Sequence, residues 1–256
     1  LIKRVVESLL LFLQSQHDHT ATQALVSLSC KGGSALKEVV DGFLPLLQSG
    51  DEWTKRATAQ ALGGLLLEEG DLIKRVVESL LLFLQSQHDH TATQALVSLS
   101  CKGGSALKEV VDGFLPLLQS GDEWTKRATA QALGGLLLEE GDLIKRVVES
   151  LLLFLQSQHD RTATEALVSL SCKGGSALKE VVDGLLSLLQ SGDTCTEAKE
   201  AAVEALGRLP FKEETPNDVV NALLPLLQSG DKRTKWVAVE ALGRLPLEEQ
   251  SLKGIV

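Results

Sequence analysis

Apolar residues recur along this chain at helical rather than strand spacing. Between Leu36 and Gln48, residues Leu36, Val39, Val40, Phe43 and Leu47 fall on one side of a helix, and Lys37, Glu38 and Asp41 fall on the other. Ser34, just after Gly32-Gly33, is placed to cap the free amides of this helix. Ser49-Gly50-Asp51 then ends it with a turn whose Asp51 can cap a second helix. That second helix is expected from about Glu52 to Leu66, with Ala61, Leu62 and Leu65 as its apolar stripe, and Ala241, Leu242 and Leu245 form a counterpart stripe. Alternation at period two is rare, and Leu, Ala, Glu, Lys and Gln dominate these segments. The pattern therefore predicts paired helices and no sheet.

The pairs are copies of one another. Leu1 to Asp71 recurs unchanged as Leu72 to Asp142, and a third copy opens at Leu143, a period of 71 residues. Up to Asp193 the third copy differs at four places, where Arg161, Glu165, Leu185 and Ser187 replace the counterparts of His19, Gln23, Phe43 and Pro45. Inside each long copy Val5 to Ser15 aligns with Val39 to Ser49, so the true repeat is half as long. Its Gln-Ser marker stands at Gln14, Gln48, Gln85, Gln119, Gln156, Gln190 and Gln228. Seven helix pairs follow, about 1–34, 35–70, 71–105, 106–141, 142–176, 177–213 and 214–247, with 248–256 reading as the opening of an eighth. One pair cannot bury its own apolar surface, so neighbours must stack into a single all-α solenoid spanning 1–256.

Composition narrows the function. The 256 residues are 44% hydrophobic and 23% charged, which suits a folded protein, and the longest leucine-rich runs stop early, as Leu9 to Leu13 does at Gln14-Ser15-Gln16-His17-Asp18. No membrane span and no leader are expected. A formal net charge of -9 argues against nucleic acid or an anionic membrane as partner and favours a basic one. Cys30, Cys101 and Cys172 occupy one place in successive long copies and are too far apart to bridge, and Cys195 has no obvious mate. Free thiols point to a reducing, cytoplasmic or otherwise intracellular setting.

Ala59-Gln60-Ala61-Leu62-Gly63 and Ala202-Val203-Glu204-Ala205-Leu206-Gly207-Arg208, each after a Leu-Leu-Gln-Ser-Gly-Asp turn, resemble the second helix of HEAT repeats. Pro45, Pro116 and Pro225 strengthen the resemblance, because HEAT repeats bend their first helix at an internal proline that would otherwise cost about 3 kcal/mol. The odd-numbered pairs depart from it, with Leu11, Leu82 and Leu153 at the proline place, and Lys55 stands where a valine usually precedes the second-helix arginine. The resemblance implies a right-handed α–α superhelix of about 14 helices whose second helices line a concave, partner-binding face.

On that face one row of side chains changes while the core does not. It pairs His19 with Gln23, Arg56 with Gln60, His90 with Gln94, Arg127 with Gln131, Arg161 with Glu165, Glu200 with Glu204, and Trp236 with Glu240, each four residues apart. These residues are the candidate contacts for a protein or peptide. His17-Asp18-His19, repeated at His88-Asp89-His90, contains metal-ligand types, but the two clusters lie on the order of 20 Å apart and a capping role fits better. No metal, cofactor or catalytic constellation is expected: the chain has no Gly-x-Ser-x-Gly, no phosphate-binding glycine loop and no His-Glu-x-x-His. Trp53 and Trp124, at the turn into the second helix, either anchor a ligand or cover the seam between repeats. A binding scaffold is the leading reading. The literal identity of the first two copies makes an engineered or freshly duplicated array without a selected ligand the alternative, and a HEAT-like bilin lyase or DNA glycosylase is the enzymatic one. Because Leu1 to Leu9 repeats an internal first helix, weak head-to-tail self-association between its bare face and the partial eighth repeat is a further expectation.

Overall fold

The computed structural model describes residues 1–68, 70–158, 161–173, 175–191, 195–211, 217–229 and 232–246. Within them lie fourteen helices and no strand. The first helices of the seven pairs are α1 (Ile2–Gln16), α3 (Gly33–Ser49), α5 (Gly70–Gln87), α7 (Gly104–Ser120), α9 (Gly141–Gln158), α11 (Gly175–Gln190) and α13 (Asn217–Ser229). The second helices are α2 (His19–Ser29), α4 (Glu52–Gly64), α6 (His90–Ser100), α8 (Glu123–Gly135), α10 (Arg161–Ser171), α12 (Thr196–Arg208) and α14 (Lys232–Arg244). The helix pairs inferred from periodicity are thus present, and α4 ends at Gly64, with Leu65 as its C-cap in extended conformation.

The caps explain where the helices start. Asp18, Asp51 and Asp89 accept hydrogen bonds from the backbone amides of Thr20 (2.8 Å), Thr54 (2.9 Å) and Thr91 (2.7 Å), so each satisfies an amide that has no partner inside its own helix. Ser34 does not cap α3. The chain reverses from α2 into α3 through Gly32 (φ 71°) and Gly33 (φ 52°), left-handed conformations that glycine adopts without strain, and the helix has already begun when Ser34 is reached. Pro45, Pro116 and Pro225 do lie inside α3, α7 and α13.

The chain forms two compact units, Leu1–Ala132 and Leu133–Val256. In the first, the predicted stripe is the core: Val39, Val40 and Phe43 of α3 and Leu62 of α4 are wholly buried, as are Val110, Val111 and Phe114 of α7. In the second, Val147 and Leu151 of α9, Val203 and Leu206 of α12 and Leu223 of α13 are equally inaccessible. Consecutive first helices also interlock, because Gly42 of α3 leaves room for the Leu10 side chain of α1. At α1 the corresponding apolar face is bare: Val5 is 42% exposed, whereas its counterpart Val76 in α5 is fully buried. The other partner of the expected head-to-tail contact, 248–256, lies outside the described residues. No described helix is long and apolar enough to cross a membrane.

Candidate partner-binding face

Most of the row picked out in the sequence is on the surface. His19, Gln23, Arg56, Gln60, His90, Gln94, Arg127 and Gln131 are exposed on the second helices of the first unit, and Arg161, Glu165, Glu204 and Trp236 on those of the second, with Glu240 half-buried. Arg161 and Glu165 form the expected i,i+4 ion pair, at 2.9 Å. Glu200 is the exception. It is only 6% exposed, because α14 closes over it, and the Arg233 guanidinium donates to its carboxylate at 2.8 Å, the kind of counter-charge that a buried carboxylate requires.

The second helices do not follow one another evenly. A Cβ on Gly63 of α4 would lie 2.7 Å from the Cα of Ala95 in α6, and Gly134 and Gly207 stand equally close to Ala166 and Ala241. At these junctions helix backbones are in contact. When His19 is matched to Arg56, Val26 takes the register of Gly63, and Val97 and Val168 take those of Gly134 and Gly207. A branched side chain there holds the next helix off. The consequence between α2 and α4 is an open groove of about 560 Å³, with Val26, Ala57 and Ala61 as walls, Thr22 at the floor, and Gln23 and Gln60 at the rim. Between α10 and α12 a smaller groove of about 250 Å³ has a different lining, with Arg161 and Arg233 facing Glu197, Glu200 and Glu204.

The close junctions are also pinned by charge. The Arg56 Nε–H donates to Asp89 Oδ2 at 2.5 Å, and Glu52 holds the other side of the guanidinium at 2.9 Å. Burial by itself raises the Asp89 carboxyl, but the Thr91 amide, the Thr91 hydroxyl and Arg56 outweigh it and hold it below the usual carboxylate range. At α12/α14 the polarity is reversed, with the carboxylate on the earlier helix (Glu200) and the guanidinium on the later one (Arg233).

At the α2/α4 junction an aromatic contact does this work. The Trp53 ring, in the first turn of α4, sits 5.3 Å from the His17 ring and 5.0 Å from that of His19, and His17 Nε2 lies 3.0 Å from Asp51 Oδ2. Asp51 also accepts from the Thr54 amide and, at 2.8 Å, from the Thr54 hydroxyl; these bonds and His17 bring its carboxyl down to about 2. His88, His90, Trp124 and Asp122 repeat the arrangement. His17 closes α1 in left-handed conformation and Asp18 caps α2, so the triplet is a capping element and Trp53 covers the seam. In the third long copy three of the four members change: Arg161 replaces the counterpart of His19, and Cys195 and Glu197 stand where α4 has Asp51 and Trp53, while the counterpart of His17 stays a histidine, His159. Among the described residues no three His, Cys, Asp or Glu side chains converge as a metal site. Cys30, Cys101 and Cys172 are free and exposed, and Cys195 is exposed.

Several of these residues escaped the reading of the sequence. Asp89 and Arg233 act across repeats, and Val26 matters by contrast with Gly63; comparing odd and even repeats position by position would have exposed that contrast. Thr22 and its equivalent Thr93 look like ordinary helix residues, yet their buried hydroxyls have no hydrogen-bond partner. Such a group costs about 1–3 kcal/mol.

Residues 182–253 match the family model of HEAT repeats. No curated protein matches the chain. Among solved structures, an engineered protein aligns at 27% identity over 98% of this chain and 70% of its own, with a TM-score of 0.44. An archaeal HEAT-like repeats protein from Thermococcus onnurineus aligns at 19% identity over 93% and 97%, with a TM-score of 0.46. A homology model of the AP-3 complex aligns at 16% identity and a TM-score of 0.50, over 88% of this chain and 43% of that one, a likeness of fold alone. The class is an all-α array of tandem helix pairs, of which residues 182–253 are similar to HEAT repeats. Its tandem repeats make it a repeat scaffold.

Proposed function

We propose that the chain is a non-catalytic scaffold that binds an extended protein or peptide segment along its second helices. The observation that supports this is the row of exposed polar side chains along the second helices, beside open grooves between α2 and α4 and between α10 and α12. An extended segment suits a surface that offers similar contacts at regular intervals. Arg56 serves the α4/α6 junction through Asp89, so the glutamines are the better probes of binding. Partners captured from a proteome by the chain should be lost when Gln23, Gln60, Gln94 and Gln131 are all replaced by Ala, with the melting temperature nearly unchanged, as expected for surface sites. Undiminished capture would place the contact elsewhere. The identity of the first two copies in surface as well as core keeps an engineered or freshly duplicated array without a selected ligand as the second reading. Capture of nothing above background would favour it.

A further inference from the structure

Three junctions between second helices are built alike. Gly63, Gly134 and Gly207 each bring their helix backbone onto an alanine of the following second helix, Ala95, Ala166 and Ala241. The residue four places before each glycine, Ala59, Ala130 and Val203, is wholly buried. In α14 the same two places are held by Gly243 and Val239. Here no described residue comes within 4 Å of a Cβ on the glycine, and Val239 is 59% exposed. Trp236, on the same helix, is exposed as well, and aromatic rings of this kind are enriched where proteins meet. This side of α14 has the shape of a close junction with no described helix seated on it. Val239 does not spoil the fit, since Val203 holds the same place in a closed junction.

The complementary surface is on α1 and α2. Leu1 to Gln16 repeats Leu72 to Gln87 without change, yet Ile2, Val5 and Phe12 are 37%, 42% and 44% exposed where Ile73, Val76 and Phe83 are buried. Ala24, the counterpart of Ala95, is exposed too. In the interior, α5 and α6 pack on α3 and α4. A helix pair of the α3/α4 type is therefore what this surface fits, and α13 is of that type: Val219-Val220 and Pro225-Leu226-Leu227-Gln228-Ser229 repeat Val39-Val40 and Pro45-Leu46-Leu47-Gln48-Ser49. Leu226 is half-buried where Leu46 is buried.

We propose that the occupant of both surfaces is a second copy of this chain: α1 and α2 of one copy seat on α13 and α14 of another, reproducing between molecules the junction that α5 and α6 make with α3 and α4. Two different faces meet, so the contact is heterologous and propagates into open chains or closes into rings. Two ion pairs of the interior junction are absent from this version of it. Arg56 bonds Asp89 and Arg75 bonds Asp41, whereas Trp236 and Asn221 stand at the places of Arg56 and Asp41. The contact is thus apolar. Each copy carries a net charge of -9, so added salt screens the repulsion between copies and does not weaken their association.

Sedimentation equilibrium of the whole chain should show the average mass rising with concentration, at high salt as at low. Val5→Glu puts a charge on one face, and Gly243→Leu fills the close approach on the other. Either alone should hold the protein at the mass of one chain with its helical ellipticity unchanged, because both sites are open in the single chain. An equimolar mixture of the two variants should associate again and halt at two chains, since each supplies the face the other lacks. Gly243→Ala should weaken association by about tenfold, as an overpacked contact does, and leave the melting temperature of the dilute protein unchanged or higher. A residue that mattered only for folding would lower it instead. A single-chain mass at every concentration, growth that survives either blocking variant, or a mixture that stays at one chain would each overturn the proposal.

Discussion

Gly63 and Ala95 meet backbone to backbone: a Cβ added to the glycine would lie 2.7 Å from the Cα of the alanine. Real Cβ atoms do not approach so closely, so α4 and α6 can pack as they do only because that side chain is missing. Gly64, the next residue, has nothing within 4 Å of the same hypothetical atom. The two glycines therefore respond in opposite ways to one substitution. Gly64→Ala should stabilise the protein by up to about 1 kcal/mol, the usual helix gain. Gly63→Ala makes the same local gain but forces the helices apart, and overpacking of this kind costs about 1–3 kcal/mol, so a net loss of stability is expected. Chemical denaturation of the two variants decides it; equal effects would mean that the junction is loose.

The bridge from Arg56 to Asp89 makes the same junction sensitive to charge. Asp89→Ala removes both the α6 cap and the bridge, and should cost about 1–2 kcal/mol, more than Asp18→Ala, which removes a cap alone. Arg56 is more than half exposed, so solvent screening keeps the bridge itself modest. A double-mutant cycle with Arg56→Ala should give a small favourable coupling. Zero coupling would leave the cap as the whole effect.

Acid should loosen the α2/α4 seam. The folded-state carboxyl of Asp51 is lowered to about 2 from 3.8, first by the Thr54 amide, then by the Thr54 hydroxyl and His17. A depressed carboxyl contributes stability that is complete above its unfolded value and is lost as pH falls through the folded one, here between about pH 4 and pH 2. Asp122, in the identical setting, is lowered likewise. Asn caps a helix nearly as well as Asp but does not titrate. Asp51→Asn with Asp122→Asn should therefore flatten the fall of melting temperature over that window. An unchanged acid limb would show that other carboxylates govern it.

What the sequence made legible was what repeats or what a period reveals. The stripe Leu36, Val39, Val40, Phe43 appears as core because a helical period of 3.6 needs only one strand of text to be seen. The exposed row from His19 to Glu240 was readable for the same reason. Glu200 was misplaced because its burial depends on Arg233, which approaches from another repeat, and no local pattern carries that information. Ser34 was misread as a cap because two left-handed glycines before it shift the helix start, a backbone event that composition does not announce. The grooves were invisible because they arise from a difference, Val26 against Gly63, next to a buried leucine that the two repeats share, Leu25 matching Leu62.

The literal repetition of the first long copies permits a deletion that creates no new junction. Removing Leu72 to Asp142 joins Asp71 to Leu143, and Leu143 opens the same sequence that Leu72 does, through Gln156-Ser157-Gln158-His159-Asp160. Every residue at the new seam thus meets the neighbours its counterpart already has in sequence. In an array where each repeat is stabilised by the repeats beside it, stability is a sum of repeat and interface contributions, so the shortened chain should fold with a smaller total rather than fail. Its denaturant slope should fall by about a quarter, in line with the surface no longer exposed on unfolding, while its helical ellipticity per residue stays the same. Loss of the cooperative transition, or of helical signal per residue, would show that stability is held by something longer in range than neighbouring helix pairs.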